Sequence, residues 1–133
     1  MELKLLILLF MIACHIYDDY HIQGCLADMK QKSWWDKQTN DIFYRDDYKM
    51  ALAEHAFGWS FFINLPLVLF YLFSPVPIKG LAIFIVINCL INTIIHAFVD
   101  DLKANKKKIN LVQDQLFHYT QVLITWSIFI LIA

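Results

Sequence analysis

The sequence predicts an all-α fold: a membrane-embedded bundle of four transmembrane helices, forming one integral membrane domain over residues 1–133, with a polar, interfacial segment between helices 1 and 2. Three observations predict it. Hydrophobic residues make up 59% of the 133 residues and mean hydropathy is +0.52, more apolar surface than a soluble domain of this length can bury. Lys and Arg are concentrated in two segments, which leaves the apolar runs almost free of them. A span needs about 20 largely apolar residues, so this length holds four spans and little else.

The first helix is expected over 3–20. Its apolar run from Leu3 to Tyr17 is opened by Glu2 and Lys4 and continues through Asp18, Asp19 and Tyr20 until Gly24 offers a stop. Met11-Ile12-Ala13-Cys14 loosely resembles a lipoprotein cleavage box. Met11 stands where Leu is usual and the leading segment is weakly basic, so a retained helix is expected. Residues 26–50 mix charges of both signs with Trp34, Trp35, Phe43, Tyr44 and Tyr48, too polar for lipid and suited to lie at headgroup level. The second span, 51–73, carries His55 near its start and Pro66 inside, where proline removes one backbone bond and favours a kink. The turn Ser74-Pro75-Val76-Pro77 makes the second and third spans antiparallel neighbours. The third span is expected over 78–99, a basic loop over 100–110 and the fourth span over 111–133. Cys14, Cys25 and Cys89 have no CxxC spacing and read as free thiols.

Orientation follows from charge placement. Lys30, Lys32, Lys37, Arg45, Lys49, Lys103, Lys106, Lys107 and Lys108 fall in the first and third loops, and only Lys4 and Lys79 lie on the other side. The positive-inside rule therefore places loops 24–50 and 100–110 in the cytoplasm of an inner-membrane protein, with both termini outside. The net charge of −1 hides this segregation and is itself uninformative; no nucleic-acid partner is expected. The lipid bilayer is the expected surrounding, and a homo-oligomer is compatible with the chain.

Ionisable residues inside a span cost a few kcal/mol each and call for a partner or a function. His15 and Asp19, His96 and Asp100, and Asp114 and His118 are each spaced i, i+4, which puts an imidazole and a carboxylate on one helix face. Asn88 and Asn92 continue the third-span stripe, and Gln121 and Thr125 the fourth. The topology brings His15, His55, His96 and His118 to one membrane side; His21 lies off this face and reads as surface. Imidazole and carboxylate suit a divalent metal such as zinc, iron or manganese. A metal-free network in which these groups satisfy one another, with Lys103 balancing an aspartate, explains the same residues. His55 alone reads equally as a packing residue or a ligand.

The segments His15-Ile-Tyr-Asp-Asp19-Tyr-His-Ile-Gln23, His96-Ala-Phe-Val-Asp100-Asp-Leu-Lys103 and Asp114-Gln115-Leu-Phe-His118 resemble, in order and spacing, a family of small bacterial and phage integral membrane proteins catalogued as a domain of unknown function. Its pattern is HxxxDFxxQ, a His-bearing span, HxxxDxxK and DQxxH. Tyr20 stands for the usual Phe, His55 fits the span histidine, and Trp59 replaces a further histidine often found four residues on. The resemblance covers essentially the whole chain and implies a shared polar site in which Gln23 and Gln115 support the His and Asp residues.

Two functional expectations follow. One is a metal-dependent hydrolase acting on a lipid or amphiphilic phosphate. In it His15, Asp19, His55, His96, Asp100, Asp114 and His118 are the metal-ligand candidates, Asp19 or Asp114 is the general base, and Lys103 attracts the phosphate. The run Lys106-Lys107-Lys108 reads first as a topological marker. The other is a non-enzymatic proton- or ion-responsive protein, transporter component or interaction subunit built on a metal-free network. A conduction path must reach the outer face, whereas Val68, Leu69, Phe70 and Ile128 to Ile132 leave the outer halves apolar, which fits a one-sided pocket better.

Overall fold

The computed structural model describes residues 2–133. The helices are α1 (Glu2–Tyr17), α2 (Leu26–Met29), α3 (Lys32–Gln38), α4 (Tyr48–Phe73), α5 (Leu81–Ala104) and α6 (Leu111–Ile132). A π turn, Asp18–Ile22, succeeds α1 and a 3-10 turn, Ile42–Tyr44, precedes α4. Four helical stretches, comprising α1 with its π turn, α4 with the turn before it, α5 and α6, are long and apolar enough to cross a membrane. They close a ring in which α4 packs on α1 and α5, and α6 packs on α5 and α1.

Local chemistry sets the boundaries. Gly80 takes φ +81 at the entry to α5, a left-handed conformation that glycine adopts without a Cβ penalty, so the helix starts at Leu81 and not at 78. Asn110 and Gln113 form a reciprocal capping box at α6: the Asn110 side chain accepts from the Gln113 N–H at 2.9 Å and the Gln113 side chain from the Asn110 N–H at 3.0 Å. Such a box satisfies two otherwise free amides at the helix start. Helix α4 runs unbroken through buried Pro66. Helix α5 continues past 99 through Asp100 to Ala104, because its last charged turn is paired and buried where the sequence suggested a loop.

The bundle is apolar outside and partly polar inside. Ile83, Val86, Ile87, Leu90, Ile94 and Phe98 of α5 are exposed, while its Asn88, Asn92, His96 and Asp100 are buried. Apolar side chains on the outside and polar ones facing protein are what a bilayer demands. At the end where α4 finishes and α5 begins the core is hydrophobic, formed by Ile7, Met11, Ile63, Leu67, Leu81, Ile85, Val122 and Phe129. The other end carries the polar cluster. The segment 24–50 folds back over that end, with α2 against α4.

Candidate metal centre

Each long helix contributes to the cluster. His15 comes from α1, Asp18 and Asp19 from the π turn, His55 and Trp59 from α4, His96, Asp100 and Lys103 from α5, and Asp114 and His118 from α6. His15, His55, His96, Asp100, Asp114 and His118 are all at most 3% exposed.

The expected pairs on α5 and α6 form. His96 Nε2 lies 3.8 Å from Asp100 Oδ1, and His118 Nε2 lies 3.4 Å from Asp114 Oδ1. The pair on the first span does not: among the described residues His15 makes no ion-pair contact with Asp19. The i, i+4 rule assumes an α-helix, and the wider π turn beginning at Asp18 rotates Asp19 and its successors out of that register. Asp19 instead faces His55, with Oδ1 3.7 Å from Nε2. Gln115 donates to Asp19 Oδ2 at 2.6 Å, and Gln23 to Asp19 Oδ1 at 3.0 Å and to its carbonyl oxygen.

Asp100 is the hub. Its Oδ1 lies 3.3 Å from His118 Nε2, and its Oδ2 lies 3.3 Å from His55 Nε2 and 2.5 Å from Lys30 Nζ. Lys103 turns to Asp114, Nζ to Oδ2 2.5 Å. The Nε2 atoms of His55 and His96 face each other at 3.1 Å. Three overlapping triads place one donor atom per residue within 4.8 Å of one another: Asp19, His55 and His96; His96, Asp100 and His118; Asp19, Asp114 and His118. Donors on one ion, each about 2.0–2.1 Å from it, stand about 2.9–3.4 Å apart in octahedral or tetrahedral arrangements. Separations of 3.1, 3.3 and 3.4 Å fit that spacing, while His96 to Asp100 at 3.8 Å and His55 to Asp19 at 3.7 Å are wider than it.

The tautomer of His118 is fixed from outside the cluster. Gln121 Nε2 donates to Asn92 Oδ1 at 3.0 Å and to the Asn92 carbonyl at 3.2 Å, which leaves Gln121 Oε1 to accept from His118 Nδ1 at 3.3 Å. The chain runs on in one direction, from Asn92 to Thr125, Thr125 to Asn88, Asn88 to Asn64, and Asn64 to the Ser60 carbonyl. With Nδ1 carrying a proton, Nε2 of His118 faces the carboxylates of Asp100 and Asp114, a junction that either a second ring proton or a metal ion satisfies.

Charge leads to the same alternatives. Asp18, Asp19, Asp100 and Asp114 bring four carboxyl groups to this end, and among the described residues lysine ammonium groups pair with two of them, Lys30 with Asp100 and Lys103 with Asp114, so that cationic imidazoles or a metal ion are left to balance the others.

Beside the cluster a cleft of about 270 Å³ is lined by residues that include Asp19, Gln23, Lys30, Lys103, Lys107 and Gln115. Lys106 is held away from it, paired with Asp101 at 2.7 Å. His21 is exposed and lies against Tyr17, with ring centroids 5.4 Å apart.

Three participants escaped the sequence reading. Trp59 sits at the centre: its Nε1–H donates to His15 Nδ1 at 2.8 Å, and its ring stacks on His96 with centroids 4.2 Å apart. Lys30 had counted only toward topology, and nothing in its neighbours signals that it is buried. Asp18 is 4% exposed; beside Asp19 in the sequence, it gave no sign of which carboxylate turns inward, and the π turn directs both into the bundle.

Fold and site together define a protein with four membrane-crossing helices and a buried His/Asp cluster compatible with a metal ion. Comparison of the chain with family models, curated proteins and solved structures gives no match.

Proposed function

We propose that the cluster is a divalent-metal centre of a membrane-embedded hydrolase acting on a lipid or amphiphilic phosphate at the cytoplasmic leaflet. The observation that carries this is that three overlapping groups, Asp19 with His55 and His96, His96 with Asp100 and His118, and Asp19 with Asp114 and His118, each bring one donor atom per residue within 4.8 Å of one another. Zinc, iron and manganese all suit this ligand set. A bound ion supplies Lewis acidity and lowers the pKa of water it binds.

The protein's own residues divide the remaining work. Asp19 lines the cleft and is held by Gln115 and Gln23, which suits it to general-base duty. Asp114 is 0% exposed and engaged by Lys103, which suits it to holding charge. Lys30, Lys103 and Lys107 give the cleft the positive lining an anionic headgroup needs. The pattern HxxxDxxxQ, HxxxDxxK and DQxxH supports kinship with the small membrane-protein family it resembles.

A second reading is favoured by one observation. Lys30 and Lys103 already pair with Asp100 and Asp114, as a metal-free network of an ion-responsive or interaction protein would require.

Elemental analysis of protein purified in detergent without chelators separates the two. Stoichiometric zinc, iron or manganese in the wild type, lost in a His96→Ala/Asp100→Asn double variant, is the expected result. Absence of metal from both, after reconstitution with each ion, overturns the hydrolase reading.

A further inference from the structure

Asp100 and Asp19 each turn one oxygen to one side of the cluster and one to the other. Asp100 Oδ2 lies 3.3 Å from His55 Nε2, and its Oδ1 lies 3.3 Å from His118 Nε2. Asp19 Oδ1 faces His55 at 3.7 Å, and its Oδ2 accepts from Gln115, whose amide nitrogen also reaches Asp114 at 3.3 Å. A carboxylate oxygen has two acceptor sites. The amide bonds to Asp19 and the Lys30 bond to Asp100 therefore leave a lone pair on each oxygen.

The donor groups divide the same way. Asp19, His55 and His96 form one, and Asp19, Asp114 and His118 another, with Asp19 the only residue in common. The remaining group takes His96 from the first and His118 from the second and sets Asp100 between them. Among the described residues no group brings four of the six together. Donors on one ion stand no more than about 4.2 Å apart, twice the bond length, so a single ion engages only part of this set. A pair of ions uses all of it.

We propose that the cluster is a dinuclear centre: one divalent ion on His55 and His96, a second on Asp114 and His118, with Asp19 and Asp100 each shared between them. This rests on the metal reading of the cluster and names the form of the centre. Asp19 is then a shared ligand in place of the general base of a single-ion site. Of the six donors only Asp19 lines the cleft, so a group bound there meets both ions at one point. Paired ions about 3.5–4 Å apart clamp the attacking and leaving oxygens of an in-line displacement, and Lys30 and Lys103 add positive charge to the same cleft. The substrate class this fits is a phosphate ester whose phosphoryl oxygens reach the pair past Asp19.

The test uses full-length protein in detergent micelles, stripped of metal and titrated with manganese(II), with bound ion counted and electron paramagnetic resonance recorded at each step. The expected result is a pair of manganese ions per chain, the second replacing the resolved hyperfine lines of an isolated ion with the broad spectrum of an exchange-coupled pair. His55→Gln removes an imidazole from the first group alone, and this variant is expected to hold one ion with the isolated-ion signal. One ion per wild-type chain at saturation overturns the dinuclear proposal and leaves the metal centre standing. A bound pair that stays uncoupled overturns the shared carboxylates. A coupled pair in His55→Gln, or no ion in that variant while it keeps the wild-type helical content, overturns the division of ligands. No bound manganese, and no zinc or iron in its place, overturns the metal centre and the proposal together.

Discussion

Replacing Lys30 by Met tests whether the interfacial segment is part of the site or merely covers it. Lys30 sits just after α2, outside the four membrane-crossing stretches, yet its ammonium is 2.5 Å from Asp100 Oδ2 and the two side chains are 7% and 1% exposed. The segment is fastened further by Asn105, whose Oδ1 accepts from the Lys32 N–H at 2.7 Å and whose Nδ2 donates to the Lys30 carbonyl at 3.2 Å. Met keeps most of the length of the stem and removes the charge, leaving the Asp100 carboxylate buried without its cation. Breaking a buried pair from one side costs about 3–5 kcal/mol. His55 and His118 still face Asp100, which puts the expected loss at the lower end, about 3 kcal/mol. The assay is reversible unfolding of the metal-free protein in mixed micelles, run as a double-mutant cycle with Asp100→Asn. Lys30→Met/Asp100→Asn is expected to be more stable than Lys30→Met alone, because the stranded charge is gone. A Lys30→Met loss below about 0.5 kcal/mol, the scale of a surface substitution, with additive behaviour in the cycle would refute a buried pair.

Two further outcomes are expected. Gln121→Leu removes the acceptor that holds His118 in its Nδ1–H form; zinc affinity, read by competition with a chromophoric chelator, should fall about 10–100-fold, and an unchanged affinity would remove the amide chain from any role in the site. In a variant lacking Cys14, Cys25 and Cys89, a cysteine replacing Lys79 should react with an impermeant maleimide on intact cells and one replacing Lys107 only after permeabilisation, with the reverse pattern inverting the assigned orientation.

Period and composition carried the part of the structure that was legible in the sequence. The four spans are visible in hydropathy, and the α5 and α6 pairs in i, i+4 spacing on regular helices, as His96/Asp100 and Asp114/His118 show. The first-span pair fails because hydropathy does not reveal a π turn, and one such turn at Asp18 reassigns Asp19 to His55. Lys30 was invisible for a different reason: its partner lies 70 residues away, and positive charge in a loop has a sufficient topological explanation. Trp59 was legible as a departure from a pattern, but its place between His15 and His96 depends on how α1, α4 and α5 meet.

The amide chain from His118 to Ser60 contributes more to register than to stability. Hydrogen bonds between membrane helices average about 0.6 kcal/mol, so the four linking different helices, Gln121 to Asn92, Asn92 to Thr125, Thr125 to Asn88 and Asn88 to Asn64, supply about 2.4 kcal/mol together. Their direction is the stronger constraint. Each side chain in the run donates onward, so turning one amide around places donor against donor or acceptor against acceptor at its neighbours. Sliding α6 against α5 by one turn, about 5.4 Å, breaks the α5–α6 links in the chain and carries His118 away from Asp100. The same chain is a poor conduction path, because carboxamides do not relay protons as imidazoles and carboxylates do, and it ends at the Ser60 carbonyl, short of the hydrophobic plug of Leu67, Leu81 and Phe129. A polar seam that begins at the site and closes within the bundle positions an imidazole and leaves the cleft beside Asp19 as the site's opening to solvent.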